Sequence, residues 1–247
     1  MKVFTITGLS TSGKTTTVEH LVTGLIKRGF SVGTVKEIHF VDFHLDSEGK
    51  NTQRHKDAGS SLVTARAIGE TDIMYQGKQD IYKILSHYDQ DYVILEGVRD
   101  AIVPEIACCK EDAKPVLSDL TIAISGRFAN TNNGEYNKLP IINCISDTEK
   151  LLDLIIEKVP DLMPNVEYDC CGKCGYDCRG LLSKYLAGEE TLSKCVLLNE
   201  SDVQLTINGE EIVMVPFVQR LLRNAVLGVT KELKGYTKQA KIEVKLK

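Results

Sequence analysis

The chain lacks the features that would commit it to a membrane or to nucleic acid. No long basic stripe runs along its 247 residues: 30 Lys and Arg lie interspersed with 34 Asp and Glu, for a formal net charge of −4. A general nucleic-acid surface needs clustered cations, so small-molecule or protein partners are expected instead. No apolar run is long enough to span a bilayer, and Met1 to Gly8 reads as a strand entering a glycine loop, not as a basic-then-apolar leader. The expectation is a cytoplasmic protein with no membrane partner. Internal repeats and low-complexity tracts are missing too. The length exceeds one usual domain, which suits one large α/β unit with smaller appendages.

What is present begins with alternation between strand and helix patterns. Lys2 to Thr7 is β-rich, Thr15 to Arg28 carries Val18, Leu21, Val22, Leu25 and Ile26 at helical spacing, and Phe30 to Ile38 is β-rich again. Such a βαβ unit predicts a parallel sheet. His39 to Gly59 is polar and patternless and reads as a long functional loop. Further β-type runs follow at Ser61 to Ala67, Asp72 to Gln76, Tyr92 to Leu95, Val103 to Cys108 and Leu120 to Ser125, with helices at Gln79 to His87 and Thr148 to Val159. Arg127 to Lys138 reads as a surface loop. Pro160 and Pro164 mark the main boundary. Beyond it, Val203 to Ile207 and Glu211 to Val215 flank Asn208-Gly209, a strong hairpin signal, before a helix over Pro216 to Leu233 and a last strand over Ala240 to Leu246. The expected domains are residues 1–163, 164–200 and 201–247, the last a ββαβ unit.

Gly8-Leu-Ser-Thr-Ser-Gly13-Lys14-Thr15 satisfies G-x-x-x-x-G-K-[ST] at every fixed position, with the required strand before and helix after. Glycines let the backbone curl so that N–H groups and the positive helix end face phosphate. Gly8, Ser10, Thr11, Ser12, Gly13, Lys14, Thr15 and Thr16 are therefore the expected nucleotide contacts, with Lys14 on the β- and γ-phosphates and Thr15 on Mg²⁺. The site also needs a carboxylate at the end of a neighbouring buried strand. Glu96, closing Tyr92-Val-Ile-Leu, fits as second magnesium residue and, with Lys14, as the catalytic pair; Asp91 is the weaker candidate. Lys36, His39, His44, Asp46, Lys50, Arg54 and His55 are further candidates for the γ-phosphate or a second ligand, though each alone reads as a solvated surface residue.

Four stretches together resemble the MobB family of molybdenum cofactor guanylylation: Thr7 to Thr16, Val32-Gly-Thr-Val-Lys36, Asp46 through Gly59, and Leu95-Glu-Gly-Val-Arg99. The resemblance covers about the first 160 residues. It implies a P-loop fold with a mixed, mostly parallel sheet, GTP binding with weak hydrolysis, a homodimer, and a nucleotidyltransferase partner that attaches GMP to molybdopterin. This chain departs from the pattern at Gly49-Lys-Asn-Thr52, where the family has Gly-Lys-Asp-Ser. Asn137-Lys138-Leu139-Pro140 is not an Asn-Lys-x-Asp base-reading motif, so ATP stays open beside GTP.

Eight cysteines are many for a reducing compartment, and crowding of this kind suggests metal before disulfides. Cys171-x2-Cys174-x3-Cys178-x16-Cys195 gives three thiolates in one turn-rich segment and a distant fourth, a layout used by iron-sulfur clusters. Zinc is the alternative. The stretch resembles the small [4Fe-4S] module of electron-transfer and corrinoid iron-sulfur proteins, one residue shorter between its second and third cysteines, which leaves open whether Cys170 replaces Cys171. Cys108, Cys109 and Cys144 read as buried hydrophobes. The leading expectation is a GTP-binding P-loop NTPase of molybdenum or tungsten cofactor maturation, partnered by a nucleotidyltransferase or a molybdo- or tungstoenzyme. A metallochaperone NTPase for another cofactor and a non-hydrolysing redox adaptor are the alternatives.

Overall fold

A computed structural model describes residues 1–40, 43, 51–165, 172–198, 203–207, 209–212, 214, 216–237 and 242–243. The chain divides into two compact units, Met1–Leu162 and Met163–Lys247.

The first unit is built on β1 (Lys2–Thr7), α1 (Lys14–Lys27), β2 (Val32–Lys36), α2 (Asn51–Asp57), β3 (Leu62–Arg66), β4 (Thr71–Tyr75), α3 (Ile81–Leu85), β5 (Tyr92–Glu96), β6 (Glu105–Cys108), β7 (Thr121–Ser125), β8 (Glu135–Tyr136), β9 (Leu139–Pro140) and α4 (Thr148–Lys158). Its five-stranded sheet has the order β2-β5-β1-β6-β7, with every neighbouring pair parallel. All five residues of β5 and of β7 are buried, as strands covered on both faces must be. Period-two alternation then assigns the faces. Val3, Val93 and Leu95 pack with Ile81 and Leu85 of α3 on one side, while α1 and α4 pack together, with Leu21, Leu25, Leu151, Leu152 and Ile155 fully buried. Gly24 is what lets the two helices approach: a methyl there would strike Leu152.

The chain runs outward through β2 and returns to β5, then crosses to β6 and β7 on the far side of β1, so the strand order reverses about β1. In open parallel sheets the crevice at the carboxyl ends beside such a reversal is where ligands bind.

Two local expectations need correction, and two of the expected strands pair with each other. Asn51–Asp57, inside the expected loop, is a helix; none of its residues is buried, so it has no apolar stripe to reveal it. β3 and β4 form their own antiparallel hairpin and do not extend the main sheet. The segment 127–138, expected as loop, holds a 3-10 turn (Gly126–Asn130) and one strand of the β8–β9 hairpin, tied to β7 by the apolar group Ile124, Ala129 and Ile141 with Phe128, Tyr136 and Leu139. Asn137 and Lys138 are the two central residues of that hairpin, both with positive φ (51° and 65°), the signature of a tight primed turn.

In the second unit α5 (Cys178–Leu186) starts at Asp177, whose carboxylate accepts the Gly180 N–H at 2.6 Å. After a 3-10 turn (Leu192–Lys194), β10 (Thr206–Ile207) and β11 (Glu210–Glu211) pair antiparallel, and α6 (Pro216–Thr230) follows. The strand expected over 240–246 lies outside the described residues except for 242 and 243. Among the described residues no helix is long and apolar enough to cross a membrane.

Candidate functional site

The loop between β1 and α1 is shaped by backbone that only certain residues tolerate. Gly8 (φ 138°) presses against the Cys108 carbonyl, where any Cβ would overlap it, and Thr11 (φ 64°) takes the left-handed conformation. Gly13 (φ 96°) lies where a Cβ would come within 3.1 Å of the Gly126 Cα. Gly126 (φ 74°) in turn meets the Ser12 carbonyl, which accepts the Arg127 N–H at 2.9 Å. The loop thus rests on a floor made by the ends of β6 and β7. The Lys14 ammonium crosses its mouth, donating to the Gly8 and Leu9 carbonyls at 3.0 and 2.8 Å. Ser12 Oγ is buried with no hydrogen-bond partner among the described residues. An unpaired buried hydroxyl costs about 1–3 kcal/mol, a deficit that an incoming acceptor would remove.

Beside the loop, Glu96 is 6% exposed at the carboxyl end of β5. Its Oε1 accepts the Thr15 hydroxyl at 2.8 Å and contacts the Lys36 ammonium at the end of β2, as the Lys36–Glu96 register of the two strands requires. Burial holds the Lys14 ammonium below its ordinary pKa; Glu96 opposes that shift, whereas Lys36 and Arg99 add to it. Lys14, Lys36 and Arg99 thus act on one another beside a single carboxylate that is already paired with Lys36, a charge pattern suited to a polyanion. The donor set fits a triphosphate with magnesium: backbone N–H groups at a helix start, a lysine, and hard oxygen ligands from Thr15 and Glu96.

The other expected residues fall in different places. Ser10, Thr11, Thr15 and Thr16 are exposed at the loop and the start of α1. Asp91 sits at the opposite, amino end of β5, where its carboxylate accepts the Ser31 N–H (2.8 Å) and hydroxyl (2.7 Å), which holds it below the usual carboxylate range; it staples the sheet and does not reach the loop. Arg54 and His55 lie on α2, His39 is exposed, and His44, Asp46 and Lys50 lie outside the described residues. Sequence reasoning missed Gly126 and Arg127, although a glycine closing a buried strand, as Gly97 closes β5, was there to be read.

Cys108, Cys109 and Cys144 are buried free thiols, with Cys108 directly beneath the loop. Burial pushes the Cys108 thiol up to about 12. An unfolded thiol ionises near 8.5, so only the unfolded state loses this proton between the two values, and stability that is intact below the lower one drains away as pH rises toward the upper. The urea midpoint should fall from about pH 8.5 upward, and less steeply in Cys108→Ala; parallel profiles would refute the assignment.

In the second unit Cys174 is half-buried with its Sγ 3.3 Å from the Tyr176 carbonyl, Cys178 opens α5, and Cys195 is buried. Cys170 and Cys171 lie outside the described residues. Among the described residues no three His, Cys, Asp or Glu side chains stand together as metal ligands, so Cys174, Cys178 and Cys195 are not gathered into a set. The Tyr176 hydroxyl donates to Glu190, which also holds Lys194, and this closes the segment around α5.

A parallel sheet with a glycine loop between its central strand and first helix, and an acid at the end of the adjacent strand, defines the class of P-loop nucleotide-binding proteins. Residues 3–125 match the family model of MobB, described as molybdopterin guanine dinucleotide synthesis protein B. A molybdopterin-guanine dinucleotide biosynthesis adapter protein of Haemophilus influenzae is 30% identical over 131 residues, 50% of this chain and 73% of that one. A Methanocaldococcus jannaschii protein, provisionally named as such an adapter, is 27% identical over 254 aligned positions, covering 100% of this chain and 97% of its own. The crystal structure of Bacillus subtilis MobB shares the fold with TM-score 0.52 and 24% identity, over 65% of this chain and 99% of that one. The chain belongs to the MobB family.

Proposed function

We propose that this protein is a GTP-binding adapter in molybdopterin guanine dinucleotide synthesis, working beside the nucleotidyltransferase that joins the nucleotide to the pterin. The observation that carries the nucleotide reading is the Thr15–Glu96 pair at the mouth of a loop whose buried Ser12 hydroxyl has no partner among the described residues. The cofactor role draws on the names of the relatives in Haemophilus and Methanocaldococcus. On nucleotide arrival Lys14 exchanges the Gly8 and Leu9 carbonyls for the β- and γ-phosphates, and the loop N–H groups take the remaining oxygens. Thr15 and Glu96 would hold magnesium, which would supply charge neutralisation for the phosphates. Glu96 is already occupied by Thr15 and Lys36, which leaves it a poor base for water and makes slow hydrolysis the expectation. ATP is the alternative nucleotide.

In the same reading residues 1–163 form the nucleotide domain and act as a homodimer, residues 164–200 are a cysteine module carrying a [4Fe-4S] cluster on Cys171, Cys174, Cys178 and Cys195, with zinc as the alternative, and residues 201–247 close the chain. Support for the module is the cysteine spacing, and the Methanocaldococcus alignment that runs through it. Anaerobically purified protein tests each part. GTP should bind with micromolar affinity, and a nucleotidyltransferase should co-purify in its presence. Iron with acid-labile sulfide supports the cluster, whereas one zinc in a colourless protein rejects it. Capture of no nucleotidyltransferase would reject the adapter role.

A further inference from the structure

Beside the strand ends that carry Lys36 and Glu96, and using no residue of the phosphate loop, lies a cavity of about 510 Å³. It is bounded by the end of β2, the β3–β4 hairpin, α3 and the turn after β5. Small-ligand sites span roughly 300–1,000 Å³. Ile73, Ile81 and Ile84 give it an apolar lining, and Tyr75 and Tyr88 add aromatic wall.

Both rings are fixed by contacts of their own. The Tyr88 hydroxyl donates to the Thr34 carbonyl at 2.8 Å, and the Tyr75 hydroxyl shares a 3.0 Å hydrogen bond with His87 Nε2 while the Lys83 ammonium stands 5.8 Å from its ring centroid. Walls held in this way cost a ligand little side-chain ordering on binding.

The rim is electrostatically one-sided. Glu37, with its side chain only 20% exposed, and Asp100 share a single cation, Lys78, at 2.9 and 3.6 Å. Two carboxylates against one ammonium leave acceptor capacity at the edge of an apolar aromatic slot. Carboxylates accept paired hydrogen bonds from adjacent N–H donors. The rim also adjoins the nucleotide site: the Glu37 N–H donates to the Glu96 carbonyl at 2.9 Å.

We propose that this cavity is a second ligand site, taking a planar fused heterocycle with a ring N–H beside an amino group, the 2-amino-4-oxopyrimidine edge common to pterins and guanine. The ring lies against Tyr75 and Tyr88, and the donor edge meets Glu37 and Asp100. Its nearness to a bound nucleotide rests on the function proposed above; its existence as a site does not.

The test titrates the full chain with 6-hydroxymethylpterin and with guanosine, followed by calorimetry and by pterin fluorescence. Lumazine, which has a carbonyl in place of the amino group, is the control. Saturable binding of either heterocycle is expected, with lumazine about tenfold weaker because a carboxylate then faces an acceptor. Ile84→Trp fills the cavity and should abolish this binding while GTP still binds, which shows that the variant is folded. Lys14→Ala should do the reverse, so failure of the nucleotide reading and failure of this one give different patterns. Whichever heterocycle binds more tightly identifies the ligand. No binding of either at millimolar concentration, equal binding of lumazine, or binding unchanged in Ile84→Trp overturns the proposal.

Discussion

Lys14→Ala is expected to weaken GTP binding by about thirtyfold to several thousandfold, the equivalent of roughly 2–5 kcal/mol for removing one member of a desolvated charge pair. The size follows from the environment of the ammonium. Burial has already lowered its pKa, and among the described residues it donates to the Gly8 and Leu9 carbonyls, which it can give up for phosphate oxygens at little cost. Without it those oxygens would face loop N–H groups but no cation from α1. The melting temperature of the nucleotide-free protein should move by only a few degrees, because the deleted bonds are to carbonyls that water can satisfy. Calorimetric titration of both proteins at matched ionic strength is the measurement, and affinity within threefold of wild type would mean that the phosphates bind elsewhere.

Gly126→Ala should be nearly as damaging although it lies outside the glycine motif. A methyl at this position overlaps the Ser12 carbonyl and comes within 3.0 Å of Cys108 Cβ, on backbone whose φ of 74° already penalises any side chain. Overpacking costs about 1–3 kcal/mol and the strained conformation a similar amount. Relief requires the loop to shift, so GTP affinity and melting temperature should drop together, the latter by roughly 5–15 °C at about 2–4 °C per kcal/mol. Gly134→Ala is the control: it has a positive φ (79°) and nothing within 4 Å, so it shows the strain alone. Equal shifts in the two variants would refute the floor.

How far the sequence discloses the site depends on whether each residue acts through its neighbours in the chain. Gly8 to Thr15 is legible because the turn, the lysine and the helix start are contiguous, and Glu96 because it ends an apolar run that can only be a buried strand. The floor is not legible: Gly126 and Arg127 act through backbone atoms against Ser12, a contact across more than a hundred residues that leaves no spacing to read. Asn137-Lys138 misleads in the opposite way, since residues scanned for base recognition serve a hairpin turn. The helix over Asn51–Asp57 is invisible because it buries nothing. The cavity escapes sequence reading because four separate segments supply its walls. The cysteine spacing is visible at once, yet spacing fixes order along the chain and not distance in space.

The floor beneath the loop has a consequence for how the protein is made. Because Ser12 is braced by Gly126 and Arg127, and that turn is itself pinned by Ile141 through β7, a nascent chain that has finished β1, α1 and β5 still has an unsupported loop. Long-range closures of this kind form late in folding. On the function proposed, nucleotide capture reports that the first unit is complete through its last strand pair, and a nucleotide that binds only the finished form stabilises it by mass action.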